Sequence, residues 1–328
     1  MNVLIGVISH AAAWVMPRRF VDRLRADFPQ HTFVDTWDFD GIRRLIPAAE
    51  AAFIPHVTPE MLASATRLRW IQSPAVGVGQ MLFPDMMASP VLITSARGIR
   101  ARAIAEHTLG AAIALARQFH TAVRRQVDHR WAQDELEADT SSLFTLQGLR
   151  MGIVGLGSIG CEIARLAAAL GMRVSGVRRR VDLDRPPGVD EVLPPERLPD
   201  LLASCDVVVL AAPHTSSTER LIGERELARM KPGALLVNIS RGTLVDDEAL
   251  AAALRSGRIG GAALDVFTHE PLDRASPYWD LPNVIVTPHT SGAMADYWTP
   301  LVALFSENLR RLERGESLLN IVDKEAGY

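Results

Sequence analysis

The chain has 328 residues, of which 48% are hydrophobic and 22% charged, with a formal net charge of -3. That length suits two domains, and the composition is that of a globular protein with ample core, which excludes extensive disorder. The near-balanced charge offers no field that would draw in nucleic acid or an anionic membrane. The two cysteines, Cys161 and Cys205, fall in no CxxC or Cys/His spacing. Neither a disulfide framework nor a metal site is therefore expected, and both read as packed thiols. The apolar start MNVLIGVIS lacks a basic leader and alternates like a strand, which argues against a signal peptide. The alanine-rich stretch 101–116 is interrupted by Arg102, Glu106 and His107, so it reads as a buried helix and not a membrane span. A cytoplasmic protein is expected.

In chain order, residues 3–9, 32–37, 52–55, 70–73 and 91–95 read as strands, with helices over 17–28 and 59–65. Such alternation predicts a parallel sheet covered on both faces, and none of these strands leads into a glycine-rich loop. A long helix is predicted from Arg102 to about Val127, apolar around most of its circumference and so buried between domains. Residues 130–146 read as polar loop. A second series follows, with strands at 150–154, 173–177, 207–211, 235–239, 261–265 and 284–287. Helical segments fall at 159–170, 224–228 and 246–256, and 179–192 reads as a charged, proline-rich loop. Six strands with crossover helices are what a doubly wound dinucleotide fold requires. The amphipathic segment 297–314 predicts a terminal helix that returns to the first domain, because a lone helix needs a surface to cover.

The first strand of the second series runs into its helix through MGIVGLGSIG, in which Gly155, Gly157 and Gly160 form G-x-G-x-x-G. The first glycine permits a tight turn and the second lets backbone approach a pyrophosphate. The third lets helix and strand pack closely, and the helix N-terminus faces the phosphate charge. An NAD site usually carries an acid at the end of the next strand. Here the chain reads Gly176-Val177-Arg178-Arg179-Arg180, with no acid before Asp182. Arg178 and Arg179 suit the 2′-phosphate of NADP, which is favoured over NAD.

Three later segments each end a predicted strand: Ser240-Arg241-Gly242, Asp265-Val266-Phe267 leading to Glu270, and Thr287-Pro288-His289. Ligands of open α/β sheets bind at the carboxyl ends of strands, so Arg241, Glu270 and His289 can converge near a nicotinamide. The chemistry suits reduction of a 2-oxo acid. The arginine binds the carboxylate and polarises the ketone, the histidine delivers a proton, and the glutamate holds the other imidazole nitrogen.

With these motifs in place, the chain resembles the D-isomer-specific 2-hydroxyacid dehydrogenases. The resemblance runs from about Leu68 to Pro288 and includes Ile104-Ala105-Glu106-His107, the glycine loop, Met230-Lys231-Pro232-Gly233-Ala234, Glu270-Pro271-Leu272 and the segment ending at His289. It implies a dinucleotide-binding Rossmann domain, residues 101–289, inserted into a flavodoxin-like substrate domain, residues 1–100 and 290–328. It implies Arg241 as the substrate-binding residue, His289 as the acid/base, and Glu270 as its partner. Asp265 would contact the nicotinamide carboxamide, and Ser158 and Ile159 the pyrophosphate. Pro213, Thr218 and Ser240 would complete the cofactor cleft. Backbone amides of Val76 and Gly77, in Ser73-Pro74-Ala75-Val76-Gly77-Val78-Gly79, would hold the substrate carboxylate, with the two domains closing around it. Many relatives carry Asp where Gly79 stands, which reads as the loss of a loop-anchoring side chain. A homodimer is also implied.

His107 reads as structural, and His214 is given no catalytic role. Trp131, Trp279, Tyr297 and Trp298 suit either a substrate pocket or core and dimer packing. Two other readings are a dinucleotide-sensing corepressor-like protein and a phosphonate dehydrogenase, whereas Glu270 argues against formate oxidation. Glyoxylate, hydroxypyruvate and larger 2-oxo acids all remain open as substrates.

Overall fold

The strand–helix alternation builds two parallel sheets in the computed structural model, which describes residues 1–8, 15–138, 143–325 and 327. The chain divides into two compact units. Met1–Ile99 and Ala295–Tyr328 form the first, and Arg100–Met294 the second.

The first unit holds β1 (Asn2–Ile5), β2 (Thr32–Asp35), β3 (Ala51–Phe53), β4 (Trp70–Gln72) and β5 (Leu92–Thr94). Their order is β2-β1-β3-β4-β5, all parallel, which is the flavodoxin-like arrangement. The expected strand 3–9 stops at Ile5, and its last residue, Ser9, lies outside the described residues. β3 and β4 are buried throughout, as strands covered on both faces must be. The helix Trp298–Arg314 packs its apolar stripe on one face, where Phe305 stacks on Phe53 and Trp70 at centroid distances of 4.8 and 5.0 Å. Tyr297 and Trp298 belong to this core, and the Tyr297 hydroxyl donates to the Pro74 carbonyl. Trp70 and Asn308 carry polar groups into this core and pair them. The Trp70 indole N–H donates to Thr94 Oγ1 at 2.8 Å, and Asn308 both accepts from and donates to the Leu319 backbone.

The second unit contains β6 (Arg150–Val154), β7 (Arg173–Val177), β8 (Glu191–Leu193), β9 (Val207–Leu210), β10 (Ala234–Asn238), β11 (Ile259–Leu264) and β12 (Val284–Val286). Its order, β12-β11-β10-β9-β6-β7-β8, is the doubly wound dinucleotide arrangement with a seventh strand at one edge. Three expectations need correction. The stretch 179–192 is not loop to its end, because Val192 pairs with Gly176 and Leu193 is buried, making β8. The long helix is two, Ala101–Ala116 and Phe119–Val127, broken where Gln118 takes a left-handed conformation at φ 55°. The first of these packs into the core of its own unit, whereas the second buries no residue. The stretch 130–146 includes a helix, Gln133–Ala138, pinned by Glu135 to Arg125 and Arg130 at 3.0–3.1 Å; residues 139–142 of that stretch lie outside the described residues. No helix among the described residues is long and apolar enough to cross a membrane.

Trp70 is fully buried, stacked and hydrogen-bonded. Trp70→Ala is therefore expected to lower the stability of the first unit by about 3–5 kcal/mol, read as an earlier urea transition.

Candidate active site

The loops that leave the carboxyl ends of β6, β9, β10, β11 and β12 lie side by side because the strands are parallel neighbours. The chain turns out of β6 at Gly155, at φ 106°, into the helix Ser158–Ala169. A Cβ on Gly155 would lie 2.6 Å from the Ala212 nitrogen, and one on Gly160 would lie 2.0 Å from the Gly155 carbonyl oxygen. These two glycines thus allow the turn to press against the exit of β9 and against its own helix. Gly157 differs, since a Cβ there would meet nothing within 4 Å. The space over Gly157 lies at the N-terminus of the helix, where Ser158 and Ile159 form the first turn. Such a cradle fits a dinucleotide pyrophosphate. Beyond β9, Thr218 Oγ1 donates to the Pro213 carbonyl at 2.8 Å and accepts from the Thr215 amide at 2.8 Å, which closes the turn on this rim.

At the end of β7 the arginines separate. Arg178 turns back on its own loop, its guanidinium donating to the carbonyls of Leu183 and of Asp184, the latter at 2.9 Å. Arg179 and Arg180 are exposed.

Arg241, exposed, follows β10. Asn238 shapes its turn, accepting from the Ser240 amide at 3.1 Å and donating to the Arg241 carbonyl at 3.0 Å. Ser240 is buried, its hydroxyl donating to the Ala212 carbonyl. Gly242 is pressed against the chain leaving β11, where a Cβ would lie 1.9 Å from the Phe267 carbonyl carbon.

Asp265, which follows β11, is 1% exposed. Its Oδ1 accepts from Thr287 Oγ1 at 2.6 Å and the Thr290 amide at 2.9 Å, and its Oδ2 accepts from the Ser291 amide at 2.9 Å. Burial pushes this carboxyl up, but bonds from the side chains of Ser291 and Thr287 and the amides of Ser291 and Thr290 outweigh it and hold the group below its ordinary range. The carboxylate thereby ties down the turn after β12. His289 sits in that turn at φ 53°, its amide donating to the carbonyls of Asp265 and Thr287 at 2.9 and 3.0 Å. Glu270 meets it, with Oε2 2.7 Å from His289 Nδ1 and Oε1 accepting from the Phe267 amide at 3.0 Å. Burial would raise the Glu270 carboxyl, yet the bonds from His289 and Phe267 and the positive charge of Arg241 keep it below the usual range. An ionised carboxylate thus faces one imidazole nitrogen, an arrangement for general acid–base work.

In the first unit, Val76 and Gly77 are exposed on the loop after β4, where the Ala75 amide donates to Ser73 Oγ at 3.1 Å. A Cβ at Gly79 would meet nothing within 4 Å, so the loop has room for the side chain it lacks. Trp131 is 90% exposed and Trp279 is exposed as well, whereas His214 is exposed on the β9 rim. One partner was not foreseen: His107 Nε2 lies 3.2 Å from Thr287 Oγ1, at the start of the turn that carries His289. A histidine in mid-helix gives no sign in sequence of a partner 180 positions away.

A dinucleotide fold with a glutamate–histidine pair and an arginine at its strand ends has the make-up of a pyridine-nucleotide oxidoreductase. The family model for the D-isomer specific 2-hydroxyacid dehydrogenase NAD binding domain matches residues 109–291. A glyoxylate reductase of Thermococcus gammatolerans is 35% identical over 324 residues, covering 94% of each chain. The solved D-isomer specific 2-hydroxyacid dehydrogenase of Xanthobacter autotrophicus, in complex with NADPH and MES, is 30% identical, with 99% of each chain covered and a TM-score of 0.81. An NADPH-dependent glyoxylate/hydroxypyruvate reductase of Sinorhizobium meliloti, solved with NADP and sulfate, is 25% identical with full coverage of both chains at 100% and a TM-score of 0.80. The chain belongs to the D-isomer specific 2-hydroxyacid dehydrogenases and is an NAD(P)-dependent enzyme of that class.

The open space over Gly157 separates binding from folding. Gly157→Ala is expected to leave the melting temperature unchanged while weakening NADPH binding about tenfold, a loss of about 1.4 kcal/mol, in a fluorescence titration.

Proposed function

We propose that this enzyme reduces a small 2-oxo acid of the glyoxylate or hydroxypyruvate type to the D-2-hydroxy acid, with NADPH as the preferred reductant. The observation that carries this reading is the His289–Glu270 pair, 2.7 Å apart, on strand exits beside the one that bears Arg241. Backbone amides of the Gly157-Ser158-Ile159 turn would hold the pyrophosphate, with Gly155 and Gly160 shaping the turn and Pro213, Thr218, Ser240 and Asp265 along the cleft. Arg179 would pair with the 2′-phosphate while Arg178, engaged by the Leu183 and Asp184 carbonyls, braces the loop that presents it. When bound, the nicotinamide supplies a hydride to the ketone carbon. Arg241 binds the carboxylate and polarises the carbonyl. His289 delivers the proton from Nε2 to the developing alkoxide, with Glu270 balancing the imidazole from Nδ1. The same groups serve the reverse reaction, with His289 accepting the proton. The names of the glyoxylate reductase relatives support the substrate class, and the nicotinamide cofactors in the solved neighbours support NADP.

Steady-state oxidation of NADPH and NADH, run in parallel against glyoxylate, hydroxypyruvate and larger 2-oxo acids, tests this. NADPH is expected to be preferred, and Arg179→Ala to remove most of that preference. His289→Asn is expected to lower kcat by about 10²–10⁴-fold. An NADH preference would overturn the cofactor assignment, and turnover confined to bulky 2-oxo acids would overturn the substrate class.

We also propose that the chain works as a homodimer through the helix Phe119–Val127. Phe119, Val123 and Val127 fall on one face at i, i+4 and i+8, and are 55%, 57% and 76% exposed. A symmetric pairing would bury this strip on both copies. Val123→Glu combined with Val127→Glu is expected to yield a folded monomer by light scattering, and a monomeric parent would refute the pairing.

A further inference from the structure

We infer that His107, on the helix Ala101–Ala116, is a positioning residue for His289: its Nε2–H holds the Thr287 hydroxyl, which acts through Asp265 on the turn that carries the acid. This rests on the reading of His289 as the proton donor.

The direction of each bond follows from what the groups can donate. The Asp265 carboxylate only accepts, so at 2.6 Å the single hydroxyl hydrogen of Thr287 is committed to it. The same Thr287 oxygen lies 3.2 Å from His107 Nε2. It can only accept there, so His107 carries hydrogen on Nε2, which fixes its tautomer. The chain of donors therefore runs from His107 to Thr287 to Asp265. Asp265 also accepts from the amides of Thr290 and Ser291, which flank His289 on its far side. His289 itself is held at φ 53°, a left-handed conformation that non-glycine residues adopt only when their surroundings impose it. Its amide is taken by the carbonyls of Asp265 and Thr287. Removing the His107 donor frees the Thr287 hydroxyl to rotate away from Asp265. That loosens one anchor of the turn, while Asp265, the group assigned to the nicotinamide, keeps its bonds from the Thr290 and Ser291 amides.

The full-length enzyme is assayed for glyoxylate reduction with NADPH. NADPH affinity and melting temperature are measured alongside for His107→Leu, Thr287→Val, the double variant, His107→Gln and His107→Asn, with His289→Asn as reference. Glutamine places an amide nitrogen as many bonds from Cα as His Nε2, whereas asparagine reaches only as far as Nδ1. His107→Leu and Thr287→Val are each expected to lower kcat about tenfold, a larger change than in NADPH affinity, because Asp265 keeps its two amide donors. The double variant is expected to be no worse than either, because both cut one chain. His107→Gln is expected to recover most of kcat, and His107→Asn not to. A merely structural histidine would shift the melting temperature and leave kcat alone. The inference is overturned if kcat of folded His107→Leu stays near the parent while His289→Asn is inactive, if His107→Gln falls with His107→Leu, or if the two single losses add. An active His289→Asn would instead remove the reading beneath it, and the inference with it.

Discussion

A carboxylate withdrawn from water is costly unless every lone pair finds a donor, and the Asp265 side chain shows how that requirement can organise a site. Its partners are the Thr287 hydroxyl and the backbone and side chain of the turn at Thr290 and Ser291, so satisfying the charge and fixing the turn are one event. Asp265 follows β11 and the turn follows β12, neighbours in the sheet, so the bonds stitch two adjacent strand exits together. The next exit is locked by contact instead of charge, because Gly242 lies flush against the Phe267 backbone and brings the Arg241 turn alongside. Glu270 then needs only its bond to the Phe267 amide to face His289. Three chemically unlike residues from consecutive strand exits are thus placed by backbone the sheet has already aligned.

The opposite half of the rim follows a different logic. Around the glycine loop the backbone itself is the binding surface, so the sequence there is governed by what must be absent. Two glycines are required by contacts within the protein, at Ala212 and at the Gly155 carbonyl, and the third leaves open space at a helix N-terminus. The first condition serves folding and the second serves a ligand.

These two modes explain what could be read from the sequence. The glycine loop and the alternating apolar runs carry local, repeated signals, and they indicate two doubly wound parallel sheets directly. The strand β8 was hidden because its three residues sit among prolines and charges, and it is held as an edge by pairing with β7. The break at Gln118 carries no glycine or proline to announce it. Arg178 and Arg179 look alike in sequence, yet only backbone geometry turns Arg178 onto the Leu183 and Asp184 carbonyls. Nothing local in the sequence distinguishes a histidine that only packs from one that also meets a distant hydroxyl, as His107 meets Thr287. Signals of short range in sequence were legible, whereas those created by the sheet's own assembly were not.

The interruption of the first unit by the second also bears on how the protein is made. Phe53 and Trp70 are translated early, but the ring that stacks on them, Phe305, emerges only after the whole of the second unit has been synthesised. On the ribosome, the first five strands wait with an uncovered aromatic face while the inserted unit, contiguous in sequence, completes its own core. Domains generally fold in the order in which their chains are finished. The later part of this protein therefore matures before the earlier part, and the exposed face of the waiting sheet is where a nascent chain would need a chaperone's protection.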